Sequence, residues 1–255
     1  RFDNIPATWI LGRLSCSAVT NTKPDLTAQT RTSSFVYRAD GSLSRETVEP
    51  GVTCGTAPAA SVDPRFRVIT DYGYDSWGNQ NSSTVSSAVA STDIAYFAPR
   101  TTSTTYDARG KFPLYSVNAL GHREDYGYDT RFGNRNYLKG PNLVETSWTF
   151  DQFGRAKTET RGDGTSTIKT YSFINPAGTS PFMVRTDSTG APSQFQYIDL
   201  LERGYREEVQ SFAGGANTVT KSQVFDALGR VFIAYRPGIG SFVGRATNYE
   251  YDNMG

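Results

Sequence analysis

The sequence predicts an all-β chain, a ribbon of antiparallel hairpins, on three observations. An aromatic-Asp-x-x-Gly unit recurs along it, alternating runs rich in Thr, Val and Tyr lie between the copies, and no segment has convincing helical periodicity. The clear copies begin at Tyr74-Asp75-Ser76-Trp77-Gly78, Tyr106-Asp107-Ala108-Arg109-Gly110, Phe150-Asp151-Gln152-Phe153-Gly154 and Phe225-Asp226-Ala227-Leu228-Gly229. The unit returns at Tyr251-Asp252-Asn253-Met254-Gly255. Degenerate copies lie between them. Tyr128-Asp129-Thr130-Arg131-Phe132-Gly133 carries one extra residue, and Asp187-Ser188-Thr189-Gly190 lacks the aromatic. Tyr197-Ile198-Asp199-Leu200-Leu201-Glu202-Arg203 reads as having an insertion before Asp and has Glu where Gly is expected.

Each part of the unit has a physical reason. Asp opens the turn because its carboxylate can accept from the backbone N–H two residues on. Two residues of a type I turn follow, and Gly then takes the left-handed conformation of a G1 bulge. A Cβ there costs roughly 1–2 kcal/mol. The Arg, Asn or Lys after Gly starts the return strand. Asp107, Asp129 and Asp151 are 22 residues apart, and Asn118-Ala119-Leu120-Gly121-His122 is an Asx turn halfway between the first two. A half-period of about 11 residues fits one strand of five to seven plus a four-residue turn. Asp163-Gly164 signals another such turn. Val231–Tyr235 alternates as a strand should, and Arg100–Tyr106 and Thr165–Phe173 have strand composition. Leu200–Phe212 contains helix-friendly residues but follows a degenerate turn, so it reads as a strand. Ser86–Ala98 reads as an insert loop or a short helical turn. Helix content should stay under a tenth.

Composition narrows the functional classes. The 255 residues carry 26 Lys and Arg against 25 Asp and Glu, a balance that disfavours a dedicated nucleic-acid binder or a basic membrane-surface protein. Hydrophobic residues make up only 37%, offset by 15 Tyr and 15 Phe, so any core should be aromatic and shallow. A single histidine and two cysteines leave little for His- or Cys-based chemistry. Cys16 and Cys54 have no metal-ligand spacing, and a structural or inert role is expected, with a disulfide possible in an oxidising compartment. No run of 18 apolar residues predicts a membrane helix, and no signal peptide is legible in the chain. No cofactor, metal or catalytic residue is expected.

Several motifs have a plainer reading. The turn aspartates offer one oxygen donor group per loop, which is too few for calcium. His122 follows a turn and has no nucleophile in reach, so it reads as a solvated turn residue. Arg161-Gly162-Asp163 spells an adhesion tripeptide but occupies a turn position. Asn81-Ser82-Ser83 is a glycosylation sequon by letters only. Glu207 and Glu208 point to opposite faces of a strand, which defeats joint acid–base work. The aromatics before the turn Asp are expected to stack between neighbouring strands rather than to bind sugars or bases.

Phe150–Gly164 and Phe225–Gly238 resemble the repeat of the bacterial Rhs or YD-repeat proteins: aromatic-Asp-x-x-Gly-Arg, a short strand, then a Pro/Asp-Gly turn. Thr8–Leu14 is similar to the lead-in of SpvB-containing Rhs proteins and Tc-toxin B components. The resemblance implies a β-sheet ribbon forming part of a spiralling hollow shell, with residues 1–60 as lead-in and 61–255 as one continuous array truncated at both ends. It also implies partners: the rest of the shell, an encapsulated C-terminal toxin and a delivery-machine component. The chain would be secreted or delivered from a bacterial cell within a larger toxin. Under this reading the site residues are structural: Tyr74, Asp75, Gly78, Tyr106, Asp107, Gly110, Tyr128, Asp129, Gly133, Phe150, Asp151, Gly154, Phe225, Asp226, Gly229, Tyr251, Asp252 and Gly255. The family's Asp-Pro-x-Gly cleavage element is absent, the one Asp-Pro being Asp63-Pro64, so neither protease nor toxin activity carries over. The rival reading is a cell-surface carbohydrate-binding or adhesion module, and a hydrolase is the least favoured.

Overall fold

Alternating β-branched and aromatic residues between Asx-Gly turns build one strand after another, each pairing with the next. The computed structural model describes residues 1–5, 10–51, 63–173, 182–211, 215–240 and 245–252. These group into two units, Arg1–Tyr126 and Gly127–Gly255.

In the first unit, β1 (Phe2–Ile5) and β2 (Ile10–Leu14) form a separate antiparallel pair. The meander that follows comprises β3 (Cys16–Thr22), β4 (Ala28–Tyr37), β5 (Leu43–Val48), β6 (Val68–Tyr74), β7 (Gln80–Ser87), β8 (Arg100–Tyr106), β9 (Pro113–Val117) and β10 (Arg123–Asp129). Each is antiparallel to its successor. The unit boundary falls within β10.

The second unit continues with β11 (Asn134–Lys139), β12 (Glu145–Phe150), β13 (Ala156–Arg161), β14 (Ser166–Ser172), β15 (Phe182–Ser188), β16 (Gln194–Ile198), β17 (Gly204–Val209), β18 (Thr218–Phe225) and β19 (Val231–Tyr235). Each again pairs with the next. Short β20 (Gly238–Ile239) and β21 (Ala246–Asn248) add to β18 and β19. One 3-10 turn at Pro64–Phe66 is the sole helical element among the described residues. The 86–98 stretch is β7's last residues followed by turns, and the strand reading of 200–212 holds as β17.

A meander sends alternate turns to opposite ends of the sheet, which is what the 22-residue period records. The turns opened by Asp75 and Asp107 share one end of the first unit, and those opened by Asp129, Asp151, Asp199 and Asp226 share one end of the second. The two ends differ. At the Asp end the ladder slips by one residue just before the turn: Thr149 faces Thr158, but Phe150 faces Ala156, leaving Lys157 extra. The same slip leaves Asn81, Leu114, Tyr205 and Phe232 extra beside their turns. At the opposite end β11–β12 and β13–β14 run into the turn without a slip, at Lys139↔Glu145 and Thr160↔Ser166, while β17–β18 slips at Thr220. Five of the Asp-end hairpins thus carry a second bulge beside the G1 bulge of the turn. Bulges bend a strand and raise its twist.

There is almost no core. Cys16 and Val219 are the buried apolar side chains among the described residues. Cohesion comes from the backbone ladder and from cross-strand side-chain pairs. Thr20 and Thr30, Thr84 and Thr101, and Thr149 and Thr158 join hydroxyls at 2.8, 2.9 and 2.6 Å. Such pairs contribute roughly 0.2–1 kcal/mol each. Cys16 is disulfide-bonded; the chain's second cysteine, Cys54, lies outside the described residues.

Candidate functional site

The recurring Asp turn is a repeated chemical unit whose parts lock together in a fixed order. Asp151 Oδ1 accepts the backbone N–H of Phe153 and of Arg155, both at 2.9 Å, and Oδ2 accepts Arg155 Nε at 2.7 Å. Asp226 and Arg230 repeat this arrangement, as do Asp199 and Arg203. In each, the Asp N–H donates to the Arg carbonyl, and the N–H of the residue before that Arg, Gly154, Gly229 or Glu202, donates back to the Asp carbonyl. Where Arg is missing, another donor takes part. Asn79 Nδ2 reaches Asp75 Oδ2 at 3.0 Å, and Asp107 Oδ1 accepts the N–H groups of Lys111 and Phe112. The extra residue of the 129–133 copy is absorbed by a wider turn, closed by Gly133 N–H on the Asp129 carbonyl at 2.7 Å.

Gly78, Gly110, Gly133, Gly154 and Gly229 all have left-handed φ, between +64° and +87°. Glu202 takes the same place at φ +61°. Before Asp199 there is no insertion: Ile198 stands where other copies have the aromatic. Asp187 is not a turn residue. It lies within β15, one residue before its end, and it binds Ser193 Oγ and Arg185, while Gly190 belongs to a turn closed from Ala191 N–H to the Ser188 carbonyl.

Successive repeats are coupled through the Arg and the aromatic. The guanidinium of Arg155, held by Asp151, lies 4.2 Å from the ring centre of Tyr171; Arg203 lies 4.2 Å from Phe225, and Arg230 4.2 Å from Tyr251. The tyrosine hydroxyl then donates to the first carbonyl after that Arg: Tyr171 to Ala156 at 2.8 Å and Tyr251 to Val231 at 2.7 Å. Tyr74 reaches the Leu43 carbonyl at 2.8 Å, and Tyr106 reaches that of Gln80 at 3.5 Å. The same link occurs within residues 1–60, where Arg13 lies 4.6 Å from the Tyr37 ring and the Tyr37 hydroxyl donates to the Leu14 carbonyl at 2.7 Å. The aromatics therefore stack mainly on the preceding repeat's arginine rather than ring on ring. Phe150 and Tyr128 head their turns as expected. Tyr251 and Asp252 are described, and Gly255 lies outside the described residues.

Neighbouring turns also touch directly. Trp77 lies over Gly110, so that a Cβ there would clash with its ring, and Phe132 lies over Gly154, where a Cβ would stand 2.9 Å from the ring. Asn79 and Asn134 Nδ2 donate to the Gly110 and Gly154 carbonyls at 2.7 and 3.0 Å.

These bonds hold the turn carboxylates ionised. The Arg230 guanidinium keeps Asp226 below the ordinary carboxylate range, Arg131 does the same for Asp129, and the Lys111 and Phe112 N–H groups do so for Asp107. Their oxygens are committed within the turn, and no cluster of three or more His, Cys, Asp or Glu occurs among the described residues. His122 Nδ1 lies 3.3 Å from Asn118 Nδ2, closing its own turn. Arg161 is drawn back onto Glu159, Thr165 and Thr167, and Asp163 accepts from Thr165, so the Arg-Gly-Asp tripeptide is engaged along its hairpin. Glu208, buried to 7% exposure, is paired with Arg206 and Asn217 on the face opposite Glu207, which pairs with Lys221. No helix is long and apolar enough to cross a membrane among the described residues.

A second turn type was read in the sequence only at Asp163-Gly164. In Lys23–Thr27 and Gly140–Val144 the Asx stands third and accepts the N–H two residues on, with Leu26 and Leu143 left-handed at φ +65° and +63°. Arg38–Ser42 and Arg161–Thr165 close alike with Gly in that place. Pro-Asx was the available signal.

No protein-family model and no curated protein matches this sequence. Among solved structures, the chain is similar to TcdB2-TccC3-TEV, with 14% identity and a TM-score of 0.46 over 86% of this chain and 13% of that one. TcdB2-TccC3 without its hypervariable C-terminal region gives 15% identity and 0.46 over 86% and 13%. The Tc holotoxin pore of Photorhabdus luminescens gives 14% and 0.36 over 91% and 15%. This chain thus spans 13% to 15% of the length of those chains.

Proposed function

We propose that this chain is a structural segment of a shell wall of the Rhs/YD-repeat kind, one that encloses a C-terminal toxin until delivery and catalyses nothing itself. The observation that carries the reading is a long sheet with almost no interior. Buried apolar side chains number two among the described residues, while the repeats of Asp151 and Asp226 are fastened onward by the full Asp–Arg–aromatic–carbonyl link and that of Asp199 by the Arg–aromatic contact. A binding domain or an enzyme needs a core to fix a pocket; a wall needs a continuous hydrogen-bonded layer with coupled repeats and two usable faces. The second bulges beside five of the Asp-end turns supply a recurring bend. In this role the repeats, the toxin and a delivery component would be partners in one secreted assembly.

Protease protection tests it. The protein is isolated intact from the producing cell, treated with trypsin, and the region C-terminal to these repeats is followed by mass spectrometry. That region should survive until the sheet is unfolded. Digestion at the rate of the denatured protein would refute the wall, and specific retention of this chain on a soluble glycan would favour the adhesion module.

A further inference from the structure

The Asp-end turns of the second unit do something that folding does not require: they hold large apolar side chains out in water. Phe153 is 69% exposed, Leu201 71% and Leu228 78%, and Phe132 is 41% exposed. The first three occupy the same place, two residues after the turn Asp, where the side chain makes none of the turn's hydrogen bonds. Ser, Asn or Lys would serve the turn equally well. Alternate turns of a meander lie two strands apart, so Phe132 and Phe153, like Leu201 and Leu228, are about 10 Å apart along this end, and Phe153 and Leu201, four strands apart, about 20 Å.

We propose that this rim of turn tips is a docking surface for the same rim on a second copy of the chain. Three features select that occupant. The first is spacing: a partner must offer apolar surface at steps of about 10, 20 and 10 Å along a line, and a second row of the same tips, run antiparallel, does this by construction. The second is charge. Asp151, Asp199 and Asp226 are each neutralised inside their own turn by Arg155, Arg203 and Arg230. Two such rims can therefore approach without leaving a desolvated charge unpaired, the usual obstacle to close contact between Asp- and Arg-rich surfaces. The third is area. With aromatic and leucine side chains, the four tips expose on the order of 500 Å² of apolar surface, enough to mark an interaction site and short of the roughly 800 Å² per partner in a standard stable interface. Contact between two single rims is then weak and reversible, and it strengthens with each added repeat. The surface goes beyond the wall reading and stands or falls separately from it.

Sedimentation velocity over a concentration series tests the proposal on the 255-residue chain. The wild type should show a reversible monomer–dimer equilibrium. A Phe153→Ser, Leu201→Ser, Leu228→Ser variant should dimerise at least tenfold more weakly, with unchanged far-UV circular dichroism and melting temperature. A control carrying Leu143→Ser, an exposed leucine at the opposite end of the same unit, should dimerise like the wild type. A wild type that stays monomeric throughout would overturn the proposal. So would a tip variant that associates as strongly as the wild type, which would place association at strand edges, or a control that loses dimerisation equally. Protease protection of a C-terminal region plays no part in this outcome.

Discussion

Gly154→Ala should destabilise the chain clearly more than Gly164→Ala, although both glycines are left-handed, at φ +79° and +83°. Both substitutions put a Cβ in a region costing roughly 1–2 kcal/mol. Both recover about 0.4–1 kcal/mol because alanine has fewer unfolded conformations to lose. At Gly164 the account ends there, since nothing lies within 4 Å of the new atom, and the net loss should be about 1 kcal/mol or less. At Gly154 the new Cβ would stand 2.9 Å from Phe132 Cγ and 3.0 Å from Cδ1. The ring must leave a rotamer well, at about 0.5–1.5 kcal/mol, and lift off the turn it half covers. The difference between the two variants should therefore be about 1–2 kcal/mol. Urea unfolding followed by far-UV circular dichroism measures it. Adding Phe132→Ala should make Gly154→Ala cost no more than Gly164→Ala. Equal losses in the two single variants, or no relief from Phe132→Ala, would refute the turn-on-turn contact.

Three other outcomes follow from the same geometry. Glu202→Gly should be neutral or stabilising by up to about 1 kcal/mol, because relief at φ +61° exceeds the added unfolded-state entropy; a loss above 1 kcal/mol in a thermal melt would count against it. The carboxyls of Asp107, Asp129 and Asp226 are depressed in the folded chain, so their stabilisation is complete above the ordinary carboxylate value near pH 4 and is lost as pH falls through it toward their lower folded values. Melting temperature should accordingly hold from pH 7 to about 5 and drop below about 4, with a smaller acid-induced drop in Asp226→Asn. A double-mutant cycle on Arg203→Gln and Phe225→Leu should give a coupling of about 0.5–1 kcal/mol, and a coupling near zero would mean the stacking joins nothing.

Much of the fold was legible because its signals are local. Asp followed three residues later by Gly fixes a turn by its own hydrogen bonds, and the 22-residue period from Asp107 to Asp151 is two strands and two turns. What escaped the sequence depends on contacts between repeats. The second bulge falls on Asn81, Leu114, Lys157, Tyr205 and Phe232, which share no chemistry, because register there is set by the neighbouring strand. Leu26 and Leu143 sit where Gly is the ordinary choice, so a search for Gly passes over both turns. The arginines after Gly read as the start of a strand, and their position over the next aromatic is visible only once two repeats are side by side. Asp187 shows the converse: its spacing to Gly190 imitates the repeat, while its partners are Ser193 and Arg185.

The wall itself is tested most directly by a cryo-electron microscopy map of the intact protein as its cell makes it. The account predicts residues of this chain as a single layer of sheet, one face toward solvent and the other toward an enclosed space that holds further polypeptide. A map in which the sheet packs against another domain as an ordinary core, or in which both faces meet bulk solvent with nothing enclosed, would contradict it.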